Sequence, residues 1–500
     1  MKLLKKFILI PITLIFASSC DGFLDKTDPT VLVADKFYKN EAEIEQAVNG
    51  VYALLQDYFN SQWQFTEYIS DNTTLQFNVG DRGQGPSLEA LEYWQYNPGT
   101  QNFSSLYNTS YYIIANINTL LYNLEQIEID QEVKDQAIGQ VKFIRAQMYF
   151  DLVRSFGDVA IIDIPIKSPE EAFLAARKPE TEVYQFILTD LQDAVQKLPT
   201  SYPETKAGKA TRGAGLTLLA KVYLTQKNYT ECLSTLNKIL PLGYTLVDNY
   251  ADVFETNNKN NSESIWEIQY LGLNTGGVNS SFIYTFAPRS SNGSVINFPG
   301  QDGGGWNIPT NEIIALYETG DARKEASLKE GYFNQSDEWV PVPYINKYNH
   351  DHSVRGASDD NWPVYRYSDV LLMLAETINE VTGPSSEAFE YLNMVRERAK
   401  LPALSGLDKS EFRKAIWKER RIELAFENHR WFDLKRTHSN SELIDLLKAH
   451  GRSEIAKPTT DRGGIPFSNG DYQIEEYQLL FPIPADQRRI NPNIQQNPGY

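Results

Sequence analysis

Cysteine is almost missing from this 500-residue chain: Cys20 and Cys232 are the only two, so no disulfide framework can hold the fold and stability has to come from packing. Histidine is nearly as scarce, at five residues, which leaves imidazole-based catalysis few places to start. Positive charge is the third shortage. With 47 Lys and Arg against 65 Asp and Glu the net charge is -18, and no Lys/Arg cluster is long enough to make a phosphate-binding stripe. Nucleic acid and anionic lipid headgroups are therefore poor partners. Beyond the first twenty residues no run approaches the roughly 20 apolar residues that a spanning helix needs, so the remaining 480 residues read as an exported globular body with a large core.

The first twenty residues are different. Lys2, Lys5 and Lys6 give a positive start, residues 7–16 are apolar but too short to span a bilayer, and Ala17-Ser18-Ser19-Cys20 places small residues before a cysteine. This order reads as a bacterial lipoprotein signal peptide over residues 1–19, with Cys20 as the lipidated first residue of the mature chain. Each buried acyl CH₂ contributes about 0.8 kcal/mol, so fatty acyl chains such as palmitate would anchor the body to a membrane without spanning it. Cys232 lies in an apolar helical stripe and reads as a small core residue.

What the chain has in abundance is aromatic: 29 Tyr, 24 Phe and 8 Trp, many in polar, Gly- and Asn-rich segments where rings can be on show. Elsewhere apolar residues recur at helical spacing. Ile44, Val48, Val51, Leu55 and Tyr58 share a face, as do Ile113, Ile117, Leu120 and Leu124, then Val141, Ile144, Met148, Leu152 and Phe156 before Gly157, and Tyr184 to Leu198 before Pro199. Two later segments look like copies of one helix-turn-helix unit. Ala220 and Cys232, then Ala375 and Ala388, set small residues twelve or thirteen positions apart, where paired helices would cross closely. The pattern resembles tetratricopeptide units, although generic helical hairpins share the spacing.

Between these units residues 265–270 alternate like a strand, and a Gly/Asn/Ser-rich tract runs to about residue 360. Its many rings, among them Tyr284, Phe298, Trp306 and Trp339, argue for an ordered, loop-rich elaboration. Prolines from Pro482 onward predict an extended tail over the body.

Few residues invite a catalytic reading. Abundant carboxylates leave a surface glycoside hydrolase possible in principle but without an anchor residue. His350-Asp351-His352 lacks an obvious third ligand and reads as a solvated loop instead of a metal site. Gly303-Gly304-Gly305 has no following Lys-Ser/Thr, and no GxSxG elbow occurs. No cofactor is expected. Residues 411–436 read as a buried structural helix, with Arg420 and Glu423 in pairing range and no catalytic role for His429, Arg430 or Asp433. By contrast, residues 70–98 combine Asp71, Asn72, Asp81, Arg82, Trp94, Tyr96 and Asn97 in a stretch too Gly-rich for a regular helix. Rings flanked by such polar groups suit a carbohydrate, whose C–H face lies on the ring while its hydroxyls meet the polar groups.

Several segments resemble the signature stretches of the SusD/RagB outer-membrane lipoproteins. They are Cys20-Asp21-Gly22-Phe23-Leu24-Asp25, Phe143-Ile144-Arg145-Ala146 through Tyr149-Phe150-Asp151-Leu152-Val153 to Phe156-Gly157-Asp158, and Arg366-Tyr367-Ser368-Asp369 with Leu374-Ala375-Glu376. Val395-Arg396-Glu397-Arg398-Ala399, Glu419 to Glu427 with Arg430-Trp431-Phe432-Asp433-Leu434, and Pro482-Ile483-Pro484 with Gln496-Asn497-Pro498-Gly499-Tyr500 continue the match. The resemblance implies a mainly α fold of tetratricopeptide-like helical pairs in a curved scaffold, with a loop-rich insertion and short strands on a ligand face. It implies an N-terminal half over 20–230 and a C-terminal half over 231–500 containing an insertion at about 262–360. It also implies an outer-membrane protein facing the cell exterior that is not an enzyme. Such a protein captures an oligosaccharide or polysaccharide and passes it to a TonB-dependent SusC-like transporter; some members of the family serve peptide uptake instead. By the same resemblance Asp71, Arg82, Trp94 and Asn97 from the early loop, with Tyr284 and Trp306 from the later tract, are the expected ligand-binding residues.

Overall fold

The computed structural model describes residues 37–80, 82, 85–272 and 278–500. Cys20, the signal peptide and Asp81 lie outside the described residues. The fold is mainly helical. α1 (Glu41–Gln62) starts at Asn40, whose side chain accepts from the Glu43 N–H at 3.1 Å, and buries the predicted stripe Ile44, Val48, Val51, Leu55 and Tyr58. It is followed by α2 (Gly85–Glu92), α3 (Gln101–Gln126), α4 (Gln131–Phe156), α5 (Glu180–Lys197), α6 (Arg212–Thr225) and α7 (Tyr229–Leu236). After the loop-rich tract come α8 (Tyr367–Thr382), α9 (Ser386–Arg398), α10 (Lys409–Glu423), α11 (Arg430–Thr437) and α12 (Asn440–Ile455). Asp408 and Ser439 start α10 and α12 with reciprocal capping boxes, each satisfying two backbone N–H groups that a helix start would otherwise leave open.

Neighbouring helices pack in chain order: α3 on α4, α4 on α5, α5 on α6, α6 on α7, then α7 across to α8 and α8 on α9. Short connections make α3–α4, α6–α7 and α8–α9 antiparallel hairpins, which stack with α5 into the tetratricopeptide-like scaffold. The small residues do what their spacing predicts. Cys232 Sγ on α7 reaches the Ala220 carbonyl on α6 at 3.3 Å, an approach that larger side chains would block. Burial pushes this thiol up to about 12, so it stays a protonated core group.

The short strands pair as separate two-stranded ribbons. β1 (Thr73–Thr74) and β3 (Ile308–Pro309) form one; β2 (Ser264–Ile268) and β4 (Trp362–Arg366) form another. β2 and β4 bracket the loop-rich tract, and ions fasten that bracket. Arg366 bonds to Glu263, Glu423 and Glu427, while Arg398 also reaches Glu263 and Glu423. All are buried. Between the brackets the tract is ordered around its own small core of Ile283, Ala287, Val295, Ile296, Tyr332 and Tyr344.

Several expectations need correction. The 70–98 segment does contain a helix, α2, because Leu88 and Leu91 find a core to bury against. The 411–436 stretch is two helices, broken where Phe426 and Asn428 take positive φ of 67° and 68°. Arg420 and Glu423 do not pair: Arg420 turns to Asp369 at 2.6 Å, and Glu423 faces the Arg366 cluster. The tail from Phe481 includes a short helix, Ala485–Ile490. Most rings of the later tract are core. Tyr270, Phe286 and Tyr348 are at most 2 % exposed, and Phe333 and Trp339 are the exposed rings among those described there. Residues 350–352 form a partly exposed loop, as expected, in which His350 also binds Asp360 and His352 the Tyr284 hydroxyl.

Candidate functional site

The early loop and the later tract meet through the β1–β3 ribbon, in which Thr73 faces Pro309 and Thr74 faces Ile308. Thr310 strengthens the join, donating its N–H to the Asn72 carbonyl at 3.0 Å and its hydroxyl to the Asp71 carbonyl at 2.9 Å. One step beyond the ribbon, the Gln76 N–H donates to the Gly305 carbonyl at 2.8 Å, so the backbones leading to Phe77 and Trp306 run side by side. Sequence-distant rings are thus brought to one face by backbone pairing.

Two of the six expected residues meet there. A Cβ on Gly85 would lie 3.5 Å from Trp306 Cη2 and 3.7 Å from Arg82 Nη1, so the absence of a side chain at Gly85 lets both groups close on this point. Arg82 makes a bidentate pair with Glu89 at 2.6 and 3.0 Å, and its guanidinium lies 4.9 Å from the Phe77 ring centre. The half-exposed Trp306 is covered on one face by Arg289, 4.1 Å from the ring centre. Tyr284 is joined to this region through its carbonyl, which accepts from the Gly304 N–H at 2.7 Å. Its hydroxyl is already committed to His352 and the Gly356 N–H.

The other expected residues are placed differently. Asp71 is buried and bonds to Arg430 at 2.7 and 2.9 Å, with Arg421 at 3.1 Å. Burial opposes its charge, yet the two guanidinium groups hold its carboxyl well below the usual carboxylate range. Trp94 is 3 % exposed, at a turn with φ of 59°, packed against Trp431 and Tyr96. Its ring is core and offers no face to a ligand in this conformation. Asn97 is exposed and shapes the turn before α3, accepting from the Gly99 N–H at 2.8 Å.

Beside Phe77 opens a cavity of about 500 Å³, lined by Leu75, Phe77, Tyr93, Pro341, Arg462 and Phe467. Arg462 spans it, 4.6 Å from the Phe77 centre and 3.8 Å from the Phe467 centre, and donates to the Tyr93 hydroxyl at 2.6 Å. Phe77, Arg289, Arg462 and Phe467 are the residues that sequence reasoning missed. The signal used for the early loop, rings in Gly-rich polar stretches, is present in Arg462-Gly463-Gly464-Ile465-Pro466-Phe467 as well. A different opening of about 600 Å³, between Tyr184, Lys435, Glu476 and Tyr477, contains none of the expected residues. The face at Phe77 and Trp306 therefore has the chemistry for a hydroxyl-rich ligand: flat rings, three guanidinium groups and nearby carboxylates in a concave, partly apolar setting.

Comparison with known proteins agrees with this architecture. Residues 22–224 match a family described as starch-binding and associating with the outer membrane, and residues 334–500 match the SusD family. SusD-like protein P25 of Formosa agariphila is 28 % identical, with 99 % of each chain covered. Among solved structures, a laminarin-binding SusD-like protein shares 26 % identity with a TM-score of 0.74, covering 93 % of this chain and 100 % of its own. A SusD superfamily protein of Parabacteroides distasonis shares 27 % identity with a TM-score of 0.73, covering 90 % of this chain and 99 % of its own. The helical-hairpin scaffold, the paired early loop and later tract, and matches to both ends of the chain lead to one conclusion: the chain belongs to the SusD-like family.

Proposed function

We propose that this chain is a cell-surface glycan-binding lipoprotein, not an enzyme, which captures oligosaccharide or polysaccharide and hands it to a TonB-dependent SusC-like transporter in the outer membrane. The observation that carries the reading is the face where Trp306, Phe77 and Arg82 converge beside the 500 Å³ cavity. Family membership supports the binding role, and the laminarin-binding relative names β-glucan as the first cargo class to try. Arg82 and Trp306 are the proposed contacts, with Phe77, Arg289 and Arg462 around them. Asp71 and Trp94 act behind the face by holding the loop in place. Lipidation at Cys20 is the proposed anchor and restricts search for the transporter to the membrane plane.

Two or three ring contacts of about 0.5–1.5 kcal/mol beyond buried area correspond to capture in roughly the micromolar to millimolar range. Weak capture suits a protein that must release its cargo. The test is isothermal titration of residues 21–500 with laminarin, starch and host or microbial oligosaccharides, repeated with Trp306→Ala. Saturable binding that weakens about tenfold or more in the variant supports the site. Binding left intact in Trp306→Ala moves the site elsewhere, and heat with peptides alone replaces the cargo.

A further inference from the structure

Behind the cavity lies a group of side chains that glycan capture does not use. α12 carries His450 and Glu454 one turn apart, at i and i+4, on the face turned into the protein; they are 5 % and 4 % exposed. Opposite them stands Glu312, in the first turn of the helix Asn311–Leu316, with Glu92 at the end of α2. Ligand atoms of Glu312, His450 and Glu454 all fall within 4.8 Å of one another. His450 Nδ1 is 3.4 Å from Glu312 Oε1, and Nε2 is 3.8 Å from Glu92 Oε1.

The hydrogen bonds around this group are incomplete in an informative way. Thr74 and Lys457 satisfy Glu454 Oε2 at 3.3 and 2.7 Å, and Tyr472 donates to Glu92 Oε1 at 2.9 Å. Glu454 Oε1, Glu312 Oε2 and His450 Nε2 have no hydrogen-bond partner although all three atoms are buried. Unmatched lone pairs on buried carboxylates are costly, and here they come from side chains on two facing elements, α12 and the Asn311 helix.

We propose that Glu312, His450 and Glu454 bind a divalent transition-metal cation, with Glu92 orienting the imidazole from its other side. One imidazole nitrogen with carboxylate oxygens is a donor set for zinc or manganese; calcium, which takes six to eight oxygens, fits it poorly. Ligand atoms about 2.0–2.2 Å from a shared tetrahedral centre stand about 3.3–3.6 Å apart, so the 3.4 Å between His450 Nδ1 and Glu312 Oε1 already suits such a centre and Glu454 is the ligand that has to close on it. Entry is available from two sides, since the Glu312 side chain is 29 % exposed and Glu454 also lines the 500 Å³ cavity. The ion would tie α12, the Asn311 helix next to β3, and α2 into one clamp directly behind the ligand face.

The test uses residues 21–500, freed of metal with EDTA and titrated calorimetrically with ZnCl₂. The expected result is one saturable site per chain. Glu312→Gln, at the partly exposed ligand where folding is least at risk, weakens zinc at least about tenfold; His450→Gln abolishes the site; Glu92→Gln costs about tenfold. The proposal is overturned if zinc produces no saturable heat, or if a zinc site of unchanged affinity persists in Glu312→Gln. Either result leaves the cluster as an ion network. Circular dichroism identifies any variant that fails to fold, in which case Glu312→Gln alone decides.

Discussion

Asp71 and Arg430 stand 359 positions apart in the chain and meet in a fork-to-fork ion pair, Nε to Oδ1 at 2.7 Å and Nη2 to Oδ2 at 2.9 Å. The pair fixes the start of the early loop to α11. Since Asp71 stands two residues before β1, a bond to the C-terminal half sets where the proposed ligand face begins.

Asp71→Ala strips Arg430 and Arg421 of their shared carboxylate, whereas Arg430→Ala still leaves Asp71 the Arg421 guanidinium at 3.1 Å. Asp71→Ala should lower stability by about 3–5 kcal/mol, and the double variant with Arg430→Ala should cost less than the two single changes added together. Urea denaturation of the four proteins measures both. Strict additivity would show that the pair is not coupled.

Trp94 provides the contrast with Trp306. Trp94→Ala empties a core site among Trp431 and Tyr96 and should cost about 3–5 kcal/mol. Protein that remains folded should keep its glycan affinity within about twofold. A stable Trp94→Ala that no longer binds would return this ring to the ligand face.

Gly304 tests the face without touching a ligand-binding group. A Cβ there would stand 2.5 Å from Trp306 Cδ1 and 2.9 Å from the Thr285 carbonyl, closer than atoms pack. Gly304→Ala must displace the indole, so its affinity should fall as far as that of Trp306→Ala. Tryptophan fluorescence reports the displacement, and wild-type affinity would show that the indole position does not matter.

His429 gives a pH dependence with a definite sign. Burial, together with the positive charge of Lys221, lowers it to about 3 from an ordinary value near 6.5, and its Nδ1 accepts from Lys221 Nζ at 3.2 Å. Its folded-state value lies below the unfolded one, so the stability tied to its neutral form is complete above about pH 6.5. That stability is lost as pH falls from there toward 3. His429→Gln should flatten part of the acid limb of a stability-against-pH curve. An unchanged slope would mean that carboxylates alone produce it.

How far the sequence could be read depended on the range of each interaction. The stripes of α1, α3, α4 and α5 are local, so their periodicity sufficed, and Ala220 with Cys232 announced a close helix crossing that the 3.3 Å Sγ contact realises. The site was harder. Arg82 and Trp306 could be named, but what joins them is a two-residue ribbon between Thr73–Thr74 and Ile308–Pro309, too short to leave a strand pattern. Trp94 misled because its Gly- and polar-rich neighbourhood looks like a surface loop. A ring beside a positive-φ turn can be folded under just as readily as displayed, and only the distant Trp431 decides which. Arg420 erred in the same way: its i+3 carboxylate was in reach, but Asp369 on another helix won it.

Phe481 lies among Phe65, Tyr96, Phe103 and Phe156, touching rings from the early loop and from the first long helices. Those rings belong to the first third of the chain, and the side chain that completes their cluster is made among the last twenty residues. During synthesis the leading third of the chain therefore emerges with an unfilled aromatic hollow. A chain stopped short of Phe481 leaves that hollow open to sticky contacts, and only the trailing end can plug it.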